Sequence, residues 1–150
     1  MFEKFCSFKI NVYLCTRKWF VMALDKVKYW TDLADYDIDT ADVMYNGGRW
    51  LYVGFMCHQA IEKALKAHWC AVRDDDTPYL HNLLKIATSC GLATKMSPEQ
   101  QQLIARLMPM NIEARYPSYK ENLASKMNEA FCKQLLEETK ALKSWIESKH

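Results

Sequence analysis

The feature that most restricts what this chain can become is the period of its apolar residues. From about Asp25 onward they recur every three or four positions, and the two-residue alternation of a half-buried strand is sustained nowhere. An all-α chain follows. Val27, Trp30, Ala34, Ile38, Ala41 and Met44 make one stripe on a first helix predicted over about Asp25 to Tyr45, which the pair Gly47-Gly48 breaks. A second, alanine-rich helix is predicted over about Arg49 to Val72, with the row Leu51, Phe55, Ile61, Leu65 and Trp69, and it ends at Asp74-Asp75-Asp76-Thr77-Pro78. A third, over about Leu80 to Cys90, has Gly91 as its stop. Ser97-Pro98-Glu99-Gln100 combines an N-cap serine, a proline at the first helical position and a capping-box glutamine, opening a fourth helix to about Glu113. After Arg115-Tyr116-Pro117-Ser118, the spacing of Leu123, Met127, Ala130, Leu135, Leu142 and Trp145 predicts a long final helix. Short connections between such helices favour an antiparallel up-and-down bundle of four to five helices.

The length of 150 residues, half of them hydrophobic, suits one core, and the domain is expected over residues 22–150. Residues 1–21 fit no period and are set apart as an N-terminal extension of uncertain structure. Met22 is a candidate biological start, because the character of the sequence changes just before Ala23-Leu24-Asp25. The opening segment is interrupted by Lys9 and Asn11, and no apolar run is long enough to span a membrane, so neither a signal peptide nor a membrane partner is expected. The six cysteines form no C-x-x-C pair and read as reduced thiols of a cytoplasmic protein. Residues 1–21 hold Lys4, Lys9, Arg17 and Lys18 against Glu3; the formal net charge of the whole chain is only +2, so the remainder is near neutral. That remainder lacks the electrostatic footprint of a duplex-binding protein.

On the second helix Gln59, Glu62, Lys63 and Lys66 stand at i, i+3, i+4 and i+7 and share an arc of about 100°, with Tyr52 and Arg73 on the same stripe. Spacing alone makes this a solvated face opposite the core row. The functional alternative is a polar groove in which Lys63 and Lys66 meet phosphate and Gln59 meets a base or sugar. Asp32, Asp35, Asp39 and Asp42 on the first helix also read as a solvated face; packed near those lysines they would neutralise them. Cys57, His58, His68, Cys70 and His81 lack zinc-ligand spacing, and Gly47-Gly48 lacks the residues of a phosphate loop, so no metal or cofactor is expected. No serine or cysteine stands out as a nucleophile. Arg115 beside Tyr116 suits a guanidinium on phosphate with a ring stacked on a base, and equally suits a plain surface ion pair.

The run Cys57-His58-Gln59-Ala60-Ile61-Glu62-Lys63-Ala64-Leu65-Lys66-Ala67 resembles the signature helix of HEPN-domain proteins. Leu80-His81-Asn82-Leu83 resembles that family's His-Asp-Leu segment, and Ala114-Arg115-Tyr116-Pro117 its Arg-Tyr-Pro segment before the last helix; Trp30 and the Asp-rich first helix also fit. The resemblance covers roughly Leu24 to Trp145. It implies a helical bundle, usually a homodimer, of the branch that partners minimal nucleotidyltransferases, with a nucleotide or RNA site between helices. The site residues it carries over are Gln59, Glu62, Lys63, Lys66, His81, Arg115 and Tyr116. One departure bears on catalysis. HEPN ribonucleases share an Arg-x4-6-His motif, and here Arg73 precedes His81, and Arg49 precedes His58, at longer spacing, with the acidic Asp74-Asp75-Asp76 run between the first pair. The resemblance therefore implies a nucleotide- or partner-binding protein without ribonuclease activity. The alternatives are a divergent endoribonuclease of toxin-antitoxin type using Arg73 or Arg115 with His81, and a purely structural dimeric adaptor.

Overall fold

The computed structural model describes residues 3–113 and 125–149, with side chains of Met22 and from Leu24 onward. Among the described residues six α-helices run in chain order: α1 Glu3–Asn46, α2 Trp50–Val72, α3 Leu83–Ser89, α4 Pro98–Leu107, α5 Met110–Glu113 and α6 Glu129–Glu147, with a 3-10 turn at Ala93–Lys95. Together they make an all-helical antiparallel bundle, and no strand occurs among the described residues. None of the described helices is long and apolar enough to cross a membrane.

The α1–α2 turn is built as the glycine pair predicts. Gly48 adopts a left-handed φ of 67°, and Arg49 N donates back to the Met44 carbonyl at 2.8 Å, closing α1 and sending α2 antiparallel beside it. The capping box is complete: Ser97 Oγ accepts from Gln100 N, and Ser97 N donates to Gln100 Oε1 at 2.9 Å.

Four expectations about boundaries change. Residues 3–21, left open by the sequence, belong to α1, which runs unbroken from Glu3 to Asn46. The third helix begins at Leu83, because Asn82 Oδ1 accepts from Lys85 N at 2.9 Å and acts as its cap; His81 thus lies on the loop before α3. The fourth helix is divided: Pro109 has no N–H to continue the ladder, so α4 stops at Leu107 and α5 restarts at Met110. The final helix starts only at Glu129, where Asn128 Oδ1 caps Phe131 N at 3.0 Å. Leu123, one of its expected markers, lies outside the described residues.

α2 is the central helix and touches α1, α3, α4, α5 and α6. Val53, Ile61, Leu65 and Trp69 on α2 meet Ala34 and Ala41 of α1, Leu83 and Ile86 of α3, Ile104 and Leu107 of α4, and Leu135, Leu142 and Ile146 of α6 in one apolar cluster. Gly54 is a close-approach point: a β-carbon there would lie 2.6 Å from Met110 Sδ, so its absence lets α5 lie against α2. Being enclosed on several sides, α2 buries polar as well as apolar residues.

Candidate functional site

The polar stripe of α2 is not a solvated face. Glu62 and Lys66 are only 4% and 7% exposed, because the helices packed around α2 cover the side opposite its apolar row as well. The stripe faces α1, the loop before α3, and α5.

Glu62 is its hub. Lys66, one turn further along α2, donates from Nζ to Glu62 Oε1 at 2.8 Å and also lies over the Trp30 ring, 5.1 Å from its centroid. His81 reaches in from the loop, with Nδ1 at 3.1 and 3.0 Å from the two Glu62 oxygens. On the helix itself, His58 Nε2 is 3.6 Å from Glu62 Oε2, while His58 Nδ1 meets the Leu107 carbonyl at 3.0 Å. A carbonyl only accepts, so Nδ1 of His58 carries a hydrogen. Burial by itself pushes the Glu62 carboxyl up; the hydrogen bonds from Lys66 and His81, with the His58 ring close by, outweigh it and hold the pKa down at about 2. Glu62 is therefore a carboxylate at every physiological pH.

The same logic fixes the His81 tautomer. Facing a carboxylate, Nδ1 is the donor, and the neutral ring then presents Nε2 as an acceptor. His81 is 69% exposed at its side chain, unlike the carboxylate that orients it. The arrangement is a buried acid holding an imidazole whose free nitrogen can take or offer a proton at the surface.

Further along the stripe, Lys63, Gln59 and Arg73 each have a partner. Lys63 is paired with Asp37 of α1, which is buried. Gln59 Nε2 donates to Asn111 Oδ1 of α5 at 3.2 Å. Arg73 is held away from the hub: Nε and Nη2 grip the two Asp75 oxygens at 2.8 and 2.9 Å, Nη1 reaches the Ser89 carbonyl, and the guanidinium lies over the Trp69 ring. Of the aspartates of the first helix, Asp35 pairs with Lys143 and Asp42 with Lys140 of α6, while Asp32 pairs with Lys28 of its own helix. Arg115 and Tyr116 lie outside the described residues.

The structure thus brings Glu62, Lys66 and His81 together, places Lys63 and Gln59 next along the row, and gives Arg73 a separate task. Three members were missed by sequence reasoning. Asp37 sits between Ala34 and Ala41 in the buried row of α1, so an acid inside an apolar stripe was its signal. His58 was weighed only as a metal ligand. Asn111 had no signal, since the fourth helix was not expected to divide before it.

Other chemistry finds little support at these positions. Burial pushes the Cys57 thiol up to about 12 and Cys132 to about 11, so neither supplies a thiolate near neutral pH. Cys57, Cys70, Cys90 and Cys132 are free and buried. Among the described residues no group of three or more His, Cys, Asp or Glu is arranged to hold a metal ion.

The HEPN domain family matches residues 27–149, a span that contains the whole α2 stripe, Asp37 and His81. The chain belongs to the HEPN domain family. A crystal structure of TT1696 from Thermus thermophilus shares this HEPN chain's fold, with a TM-score of 0.71 at 18% identity over 83% of this chain and 98% of that one. No curated protein matches the chain. Within the HEPN match, the signature helix is the buried α2; its Glu anchors His81, and its second Lys pairs with that Glu.

Proposed function

We propose that this HEPN protein binds a nucleotide, a minimal nucleotidyltransferase partner, or both, and does not cleave RNA. The observation that carries the reading is the commitment of its cations: Lys63 is paired with Asp37, Lys66 with Glu62, and Arg73 with Asp75. A ribonuclease centre needs a cation free to meet the charge that develops on phosphate. In this reading Lys63 and Lys66 hold the wall of the site, and the ligand meets the exposed Nε2 of His81, with Arg115 and Tyr116 contributing phosphate and stacking contacts.

A second reading rests on His81. A carboxylate that fixes an imidazole through Nδ1, leaving Nε2 exposed, is also how a histidine is set to take the proton of a 2′-hydroxyl. A divergent endoribonuclease would use that base with Arg115.

The deciding experiment runs calorimetric titrations of ATP and GTP beside cleavage of a labelled single-stranded RNA, on wild type and on His81→Ala and Arg115→Ala. Nucleotide binding weakened in both variants, with the RNA intact, supports the binding reading. RNA cleavage that disappears in His81→Ala overturns it in favour of the nuclease. Absence of both leaves neither reading standing for a nucleotide ligand and moves attention to a protein partner.

A further inference from the structure

A fully buried imidazole is a costly way to fill space, because both ring nitrogens leave water. His58 is such a ring, with no exposed surface. Its Nδ1 recovers a partner by donating to the Leu107 carbonyl at 3.0 Å. Leu107 is the last residue of α4, so this carbonyl is one of the four at that end that the helix itself leaves unpaired. Nε2 recovers nothing: it is buried, makes no hydrogen bond within the described residues, and faces Glu62 Oε2 at 3.6 Å. With the hydrogen on Nδ1, Nε2 has none to give, and the ring meets the carboxylate as a wall rather than as a donor.

The place of that wall follows from helical spacing. His58, Glu62 and Lys66 are four residues apart, so they stack one turn above another on one face of α2 with the carboxylate in the middle. Lys66 lies against the Trp30 ring of α1, and His58 is held by the Leu107 carbonyl of α4. The carboxylate is thus bracketed by two residues, each fixed by a different helix. Lys66 donates to Oε1, and His81 Nδ1 lies within reach of both oxygens. On the side away from the His81 loop, the His58 ring occupies the space that a water or a competing donor would need.

We infer that His58 is a positioning residue for His81, acting through Glu62: its Nε2 edge closes the buried side of the carboxylate and leaves both oxygens to Lys66 and His81. The inference rests on the reading in which a ligand meets Nε2 of His81, and deepens it. A glutamate left to its own side-chain torsions turns or takes up another donor, and the hydrogen on His81 Nδ1 then loses its fixed acceptor. The imidazole exchanges between its tautomers, and Nε2 stops being a standing acceptor. What the site needs is a group at the ε position of residue 58; the hydrogen bond to α4 only anchors it.

Two substitutions separate these roles. An Asn amide ends at the δ position, so His58→Asn keeps the bond to Leu107 and opens the side facing Glu62. A Gln amide ends at the ε position, so His58→Gln does the reverse. Ring 15N shifts of the labelled full chain at about pH 8, with His81→Ala to assign the signal, report which nitrogen of His81 carries the hydrogen. Wild type and His58→Gln are expected to show the Nδ1–H form, and His58→Asn a mixture of both tautomers. ATP affinity by calorimetry is expected to fall about tenfold in His58→Asn and to stay within about twofold of wild type in His58→Gln. Urea midpoints show that each variant is folded, and if one is not, the other decides alone. A wild type in the Nε2–H form, an unchanged His81 signal in His58→Asn, or a mixture in His58→Gln would each overturn the inference. The 15N comparison uses no nucleotide, so a wild type that binds no ATP would remove the nucleotide reading and leave this test intact.

Discussion

Two faces of neighbouring helices invert the usual rule of polar outside and apolar inside. The signature stripe of α2 buries a glutamate, a lysine and a histidine, whereas the outer face of α1 leaves a methionine, two tyrosines and a valine in water. Burying charge costs several kcal/mol per ion unless each finds partners, so a chain that keeps it inside must satisfy it, and the α2 stripe pairs Glu62 with Lys66 and His81. Exposing an apolar heptad row costs solubility unless something covers it. The buried stripe thus looks inward to its own chain, and Met22, Tyr29, Tyr36 and Val43 form a seam turned to solvent. The difference separates the groups that build the HEPN bundle from those available to a partner, and His81 stands at the boundary between the two.

The strongest way to break this contrast is to remove the hub. Glu62→Ala leaves Lys66 and His58 buried without their shared carboxylate, and losing one partner of a buried charged cluster costs about 3–5 kcal/mol. Urea denaturation is expected to show that loss together with a freed His81 loop. A cost below about 1 kcal/mol would mean that the stripe is solvated after all.

Acid probes the same carboxylate without mutation. Its folded pKa of about 2 lies below the ordinary value of 4.5, so the unfolded chain takes up the proton first. The stabilisation is therefore complete above about pH 5 and is lost as pH falls toward 2, amounting to about 3 kcal/mol over that window. Glu62→Gln is expected to flatten this limb of the stability profile, measured as urea midpoint against pH. A variant profile that still falls steeply between pH 5 and 2 would assign the acid sensitivity to other carboxylates.

How much of this could be read from the residues divides along physical lines. Periodicity and turn chemistry act locally, so Gly47-Gly48, the Ser97 capping box and the core rows through Ile61 and Leu65 were legible. Family likeness carried the α2 signature and His81 into one site, and Glu62, Lys66 and His81 do meet. Burial was not legible, because whether a polar stripe faces solvent depends on how many helices surround its own. Spacing described α2 as two-faced; enclosure by five neighbours made it central. Asp37 shows the limit well: it interrupts an apolar row visibly, but only the packing of α1 on α2 reveals that the interruption answers Lys63. The α1 seam escaped for the opposite reason. A row spaced by seven is plain in the sequence, but exposure is what distinguishes it from core.

The Asp37–Lys63 pair sharpens the comparison at its half-buried edge. Asp37 has a short stem and is fixed among the buried residues of α1, whereas Lys63, 20% exposed at its side chain, can carry its ammonium toward water. Lys63→Met, which strands the buried carboxylate, is expected to cost about 1–3 kcal/mol, and Asp37→Ala less than that. A double-mutant cycle followed by thermal unfolding gives the coupling. The reverse order would mean that the lysine is the more tightly held partner, and that α2 is enclosed further along its length than the hub alone indicates.

The smallest effect is expected where the exposed face is most apolar. Tyr36→Ser removes the most exposed aromatic of the α1 seam, a side chain that makes no contribution to the buried cluster. Its unfolding free energy, measured by urea denaturation, is expected to stay within about 0.5 kcal/mol of wild type, as for surface substitutions in general. A large loss would place Tyr36 in the fold of the bundle and return the seam to the core, a role that a bundle already closed by α2, α4 and α6 does not need it for.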